Sequence, residues 1–311
     1  TEAPDAEEGA RPMSLAPYLE PGQPTRAVQI ALIRQSYDCG GPDGIPGPKT
    51  WAAIARWAAD HSVSAMEAPS LLLSWREVPR PDRMIIGGTS QLPPVAAWSN
   101  WHDGRVKRLR DAGPIVGPSQ VIIHESVTSG GWRRVWDVLS RRHLGVHCIV
   151  QADGSVAQCV DLARRTVHAG SLNRTSIAIE LATPYYPTEA TRDRAVPAIW
   201  AHRGAYVLPT LEQCEATWLI VQALCTGRDW PPLAFPGVVA GHYLWGRVKG
   251  AEKAPGVQAH AATAHADGHF PCYFALMRYR GWSPERAWRA TVDAASSGLR
   301  TTPLPAPEAV G

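Results

Sequence analysis

The chain has 311 residues, a net charge of +3, 45% hydrophobic and 19% charged residues, a globular composition longer than one typical domain. That small charge is scattered along the sequence, which excludes nucleic acid as the favoured partner, and no run approaches the roughly 18 apolar residues of a membrane-spanning helix. Thirteen Trp against three Phe supply flat apolar faces with an N–H donor, suited to sugar or amphipathic surfaces as well as to cores.

Residues 1–22 are acidic and Pro-containing and read as a flexible lead-in. The stretches "TRAVQIALIRQ" and "TWAAIARWAAD", joined by the turn "CGGPDGIPGPKT", predict a small all-helical domain over 23–68. Residues 69–95 are Pro-rich and irregular and read as a linker. From 96 to 297 strands and helices alternate, which predicts an α/β domain with a central mixed sheet flanked by helices. A flexible tail, 298–311, completes the expectation.

Within that domain "SQVIIH" predicts a strand, and "GGWRRVWDVLSRRHLG" a helix with Trp132, Val135, Trp136 and Leu139 on one stripe and Gly145 just past its end. "VHCIVQADGSVAQCV" predicts a hairpin turning at Asp153-Gly154, which sets Cys148 opposite Cys159. Counted outward from a two-residue turn they form a hydrogen-bonded pair, whose spacing suits a disulfide poorly, so a bridge is left open and not predicted. "TLEQCEATWLIVQALCTG" opens on a Thr210/Gln213 capping box and closes at Gly227. "FPGVVAGH" reads as a strand, and "WSPERAWRATVDAA" as a helix with Ser283 as N-cap and Pro284 at its first position.

Strand alternation gives the first chemical expectation. In "SIAIEL", Ile177, Ile179 and Leu181 share one face and leave Glu180 beside Ala178 on the other. An ionised Glu inside a sheet is costly unless it is paired, raised in pKa or open to a cleft. His124 and His242 stand where "VII" and "GVVAG" run out, the ends of strands at which such folds build their sites. With "HAHADGH" further on, they suggest a three-ligand zinc centre with one open position. The six cysteines contain no CxxC pair, which disfavours a structural zinc knuckle.

The run "VIIHESVT... GVHCIVQADGSVAQCVDLARRTVHAG...N...SIAIELATPYYP", with "AGH" at 240–242 and "HADGHFP" at 265–271, resembles the zinc-dependent N-acetylmuramoyl-L-alanine amidases related to peptidoglycan recognition proteins, most nearly phage endolysins. "DGIPGPKTWAAI" at 43–54 is similar to the signature of small helical peptidoglycan-binding domains. The resemblance implies a Zn2+ held by His124, His242 and Asp267, with Cys272, His260 and His269 as rivals for the third place. It implies Glu180 as general base, His265 as donor to the oxyanion, and His168 and Asn173 facing the substrate groove; from the residues alone, those last two could equally be turn residues. Glu125 could orient a ligand imidazole or be a solvated strand-end charge, and His147 could line the cleft or sit in the core. The implied protein is a secreted or lysis-associated wall hydrolase, monomeric, with peptidoglycan as substrate and anchor. A non-catalytic recognition protein and a zinc peptidase acting on the stem peptide are the alternatives.

Overall fold

The computed structural model describes residues 22–306 apart from 35–36, 61–62, 75–80, 104, 116, 127, 129–130, 202–203, 227–229, 251–252 and 263–266. The lead-in over 1–21, Gly227 and His265 therefore lie outside the described residues. The chain divides into two compact units, 1–78 and 79–311.

In the first unit α1 (Gln23–Arg34), α2 (Pro48–Asp60) and α3 (Ala68–Ser74) enclose Val28, Leu32, Ile54, Trp57 and Leu72. The turn between α1 and α2 is built around the buried Gln29. Its Nε2 donates to Asp43 Oδ1 at 2.8 Å, Ile45 O at 3.1 Å and Thr50 Oγ1 at 3.1 Å, and its Oε1 accepts from Gly44 N at 2.8 Å. Gly44 has φ +80, and a Cβ there would press on Gly22 O at 3.0 Å, so glycine is required. The "DG" and "T" of the signature thus fold the turn on itself.

The second unit begins with the hairpin β1 (Met84–Ile86) and β2 (Thr89–Gln91), followed by β3 (Trp98–Asn100) and β4 (Gln120–Glu125). Next come α4 (Gly131–Arg141), β5 (Cys148–Val150), β6 (Val156–Gln158) and β7 (Ser176–Leu181). The rest comprises β8 (Ala195–Pro197), β9 (Ala205–Val207), α5 (Leu211–Cys225), β10 (Val238–Val239), β11 (His242–Leu244), β12 (Gly256–Ala259), α6 (His269–Tyr279), α7 (Pro284–Ser296) and β13 (Thr301–Pro303). Six strands form the central sheet in the order β12-β4-β7-β5-β6-β3. All neighbours are parallel except β5 and β6, so the expected mixed sheet is present.

The two faces of β7 separate as alternation requires. Ile177, Ile179 and Leu181 join Val121 and Ile123 in a core with Cys214, Ile220, Phe270, Phe274 and Ala287 from α5, α6 and α7. Ala178 faces the other side, where Val135 and Leu139 of α4 cover the sheet, with Trp132 and Trp136 packed at their edge. The capping box of α5 is formed, and Ser283 Oγ caps α7.

Several expectations are corrected. The 69–95 stretch is no simple linker, since α3 packs in the first unit and β1–β2 open the second. The tail contains β13, paired with β11. Helix α4 ends through His143 at φ 56, the left-handed position expected of Gly145. Between β5 and β6 the connection spans five residues, and Cys148 pairs with Gln158. That one-residue shift puts Cys148 in the core and Cys159 under α4, on opposite faces where no disulfide can close. Both are free thiols.

Candidate metal centre

Three adjacent parallel strands deliver the site. Ile123 pairs with Ala259 of β12, so His260 follows at the level of His124, and His124 pairs with Glu180 of β7. The three side chains therefore form one row across the sheet end: imidazole, imidazole, carboxylate. Asp267 closes the group from the turn before α6. Its Oδ1 lies 3.1 Å and its Oδ2 3.3 Å from His260 Nδ1, and Oδ2 lies 3.8 Å from His124 Nδ1. The imidazole rings of His124 and His260 are 4.3 Å apart. One ligand atom from each of His124, His260 and Asp267 falls within 4.8 Å of the others, and all three residues are buried.

The row opens into a cavity of about 160 Å³. His124, His168, Glu180, His260 and Asp267 form its polar wall; Val135, Val138, Leu139, Leu144 and Val146 form an apolar one, and Arg142 also lines it. Glu180 is 7% exposed. Burial, then the neighbouring Asp267 and Glu125 carboxylates, push its carboxyl well above the usual range, with Arg142 opposing. Two carboxyls and three imidazoles around so small a volume suit a cation. The donor set, two imidazoles and one carboxylate with a fourth direction toward the cavity, suits zinc.

His242, expected as a ligand, is not brought to this row. "AGH" is a hairpin turn: Ala240 and Gly241 both have positive φ, at 49° and 76°, the two-residue geometry that reverses a twisted strand pair. His242 opens β11, paired with Val239 and Pro303, and stands exposed with Nδ1 3.0 Å from Ala240 O. The second imidazole is instead His260, at the end of "GVQAH" within a segment that resembles an insertion. Its signal was a short strand ending in His, as in "VIIH", though Gln258 interrupts its apolar run.

Cys272 and His269 are not in the group either. Cys272 is buried in α6 with its thiol pushed up to about 12 by burial. His269 packs among Trp200, Tyr243 and Trp245, its ring held down to about 3 by burial.

His168 lines the cavity and also contacts His124: its Nδ1 is 3.0 Å from His124 Nε2. Ser176 Oγ donates to Leu172 O at 2.7 Å, so at 3.0 Å it accepts from His168 Nε2–H. Burial and the nearby His147 and His260 keep His168 well below its ordinary pKa and neutral. His168 Nδ1 then accepts from His124 Nε2–H, while Nδ1 is the His124 nitrogen that faces Asp267. Asn173 does not reach the cavity's lining; its Oδ1 accepts from His168 N at 2.9 Å and Ala169 N at 2.7 Å and braces the "HAG" turn. His147 is a core residue, accepting from Ala178 N at 2.9 Å and donating through Nε2 to Arg164 O at 2.7 Å.

Residues 114–263 match the family described as N-acetylmuramoyl-L-alanine amidase, Amidase_2. No curated protein matches the chain. Among solved structures the chain is similar to the N-acetylmuramoyl-L-alanine amidase LysC from Clostridium intestinale, at 11% identity and a TM-score of 0.35 over 55% of this chain and 93% of that one. It is similar to Drosophila peptidoglycan recognition protein SD at 14% identity and a TM-score of 0.36, over 60% and 96% of the two chains. For human PGRP-Iβ C in complex with glycosamyl muramyl pentapeptide the values are 11%, 0.36, 55% and 88%.

Proposed function

From a second unit that carries an N-acetylmuramoyl-L-alanine amidase domain of the type 2 family, we propose that the protein is a peptidoglycan hydrolase cutting the amide between N-acetylmuramic acid and L-alanine, with Zn2+ held by His124, His260 and Asp267. The observation that carries this reading is the His260–His124–Glu180 row with Asp267 closing it over a cavity. When bound, the ion supplies a Lewis acid that polarises the amide carbonyl and acidifies water.

The remaining roles belong to side chains. His168 holds the proton on His124 Nε2, so that Nδ1 is the nitrogen that would bind the ion. Glu180, one strand from His124, takes the proton of the attacking water and returns it to the departing alanine nitrogen. The apolar wall of α4 excludes water and receives the methyl groups beside the scissile bond, while Arg142 at the cavity wall meets a substrate carboxylate. His265 is the proposed donor to the developing oxyanion. The first unit, through its likeness to wall-binding domains, tethers the enzyme and raises its local concentration on an insoluble substrate. The protein acts at the bacterial wall, and among the described residues no helix is long and apolar enough to cross a membrane.

Mass spectrometry of digested peptidoglycan tests the reading: stem peptides with free L-alanine amino termini and lactyl-muramic ends support it. Cleaved peptide bonds within the stem would indicate a peptidase, and binding without products a recognition protein.

A further inference from the structure

Glu125 is a buried carboxyl group, 3% exposed and with its pKa pushed up to about 8 by burial, for which the hydrolytic mechanism has no use. It follows His124 on β4 and points away from the imidazole, toward the core side. Its Oε1 accepts from the Tyr206 hydroxyl and its Oε2 from Gly268 N at 2.7 Å. In the opposite direction its own backbone N–H donates to Asp267 Oδ2 at 3.3 Å. Residues 125 and 267–268 thus clasp each other twice: backbone to side chain one way, side chain to backbone the other.

The clasp adds to the contacts that His260 Nδ1 and Ala261 N make with Asp267. Gly268 sits at φ +82, and a Cβ there would overlap Ile123 O, so the turn lies directly against β4 with no side chain of its own to lock it. Asp267 O accepts from Ala261 N at 2.9 Å, which ties the acid to the turn that carries His260. Glu125 supplies the corresponding tie to the strand that carries His124. A ligand set drawn from three separate segments needs such outer partners to hold its geometry before the ion arrives.

We propose that Glu125 is a positioning residue for the metal centre: it fixes the Asp267–Gly268 turn against β4 so that the Asp267 carboxylate stands preformed beside His124 and His260. This rests on the reading of His124, His260 and Asp267 as metal ligands. Glu125 orients the acid ligand; it touches neither substrate nor imidazole.

The test is zinc affinity of the full chain by competition with a chromophoric chelator, together with the visible spectrum of the cobalt(II)-substituted protein. Glu125→Ala should bind zinc on the order of 10–100-fold more weakly and alter the cobalt spectrum. Glu125→Gln should stay within a few-fold of wild type, because its amide oxygen can accept from Gly268 N–H while its NH2 donates to the Tyr206 oxygen. Should Glu125→Ala fail to fold, Tyr206→Phe removes one anchor of the carboxylate and should weaken zinc several-fold. Wild-type affinity in Glu125→Ala, or in Tyr206→Phe where that variant is the one read, overturns the clasp; so does a Glu125→Gln as weak as Glu125→Ala, which would make charge and not hydrogen bonding the cause. A wild-type chain that takes up no zinc instead overturns the metal reading beneath it.

Discussion

Replacing His147 with Gln should flatten the acid limb of the stability curve. The ring is fully buried and bonded at both nitrogens, Nε2–H donating to Arg164 O and Nδ1 accepting from Ala178 N. A second proton would have to enter at Nδ1, against an N–H already pointing there. Burial, opposed by the Arg164 carbonyl, lowers its pKa to about 4, against about 6.5 in an unfolded chain. Between those values the unfolded state binds a proton that the native state refuses, so the native state loses stability as pH falls through this window and gains none above it. The slope is about 1.4 kcal/mol per pH unit and the whole loss about 3 kcal/mol, complete near pH 4. Urea unfolding of both proteins from about pH 7.5 to about pH 4.5 measures it. Other groups titrate in both, so the difference between the curves isolates His147. Gln keeps a donor toward Arg164 O without titrating, and its curve should be shallower by about one proton. Parallel curves would refute the reasoning, as would a His147 ring proton resonance titrating near 6.5.

Four further outcomes follow from the structure. Glu180→Gln should retain zinc and lose wall hydrolysis by about 10²–10⁴-fold, read by metal analysis beside turbidity clearing. Intact mass under non-reducing conditions should show Cys148 and Cys159 as thiols, and melting should not respond to reductant. Gln29→Ala strips the buried partners of Gly44 N and Asp43 and should destabilise the first unit by about 1–3 kcal/mol, measured by thermal unfolding. Gly268→Ala should fold poorly or lose zinc, because the added methyl meets a backbone carbonyl of β4 that cannot move without displacing His124.

The features legible in the sequence were those fixed by local pattern. Period-two alternation located β4 and β7 and placed Glu180 opposite the apolar face; capping residues located α5 and α7. Strand-end position singled out His124, and the resemblance to the family motif singled out Asp267, the two residues that the fold brings together with His260. Register was not legible, because it depends on how many residues a turn consumes. Asp153-Gly154 looks like a two-residue turn, yet five residues connect β5 to β6, and the cysteines part to opposite faces. "AGH" failed for the related reason that a histidine after an apolar run can open a hairpin as easily as end a strand. His260 was named only as a rival for the third place and not as the second imidazole, because β12 is four residues long and pairs with β4 across 135 residues of sequence, as in Gly256 against Gln120; only that pairing shows that "VQAH" and "VIIH" end side by side. Glu125 was weighed as the partner of an imidazole, and nothing local to it announces Gly268.

The central claim is that one ion is held by His124, His260 and Asp267. The most direct measurement is metal content after equilibrium dialysis against zinc for wild type and for His124→Ala, His260→Ala, Asp267→Ala and His242→Ala. One zinc per chain in wild type and in His242→Ala, with loss in the other three, is the expected result. Retention of zinc by His260→Ala, or its loss from His242→Ala, would contradict the account.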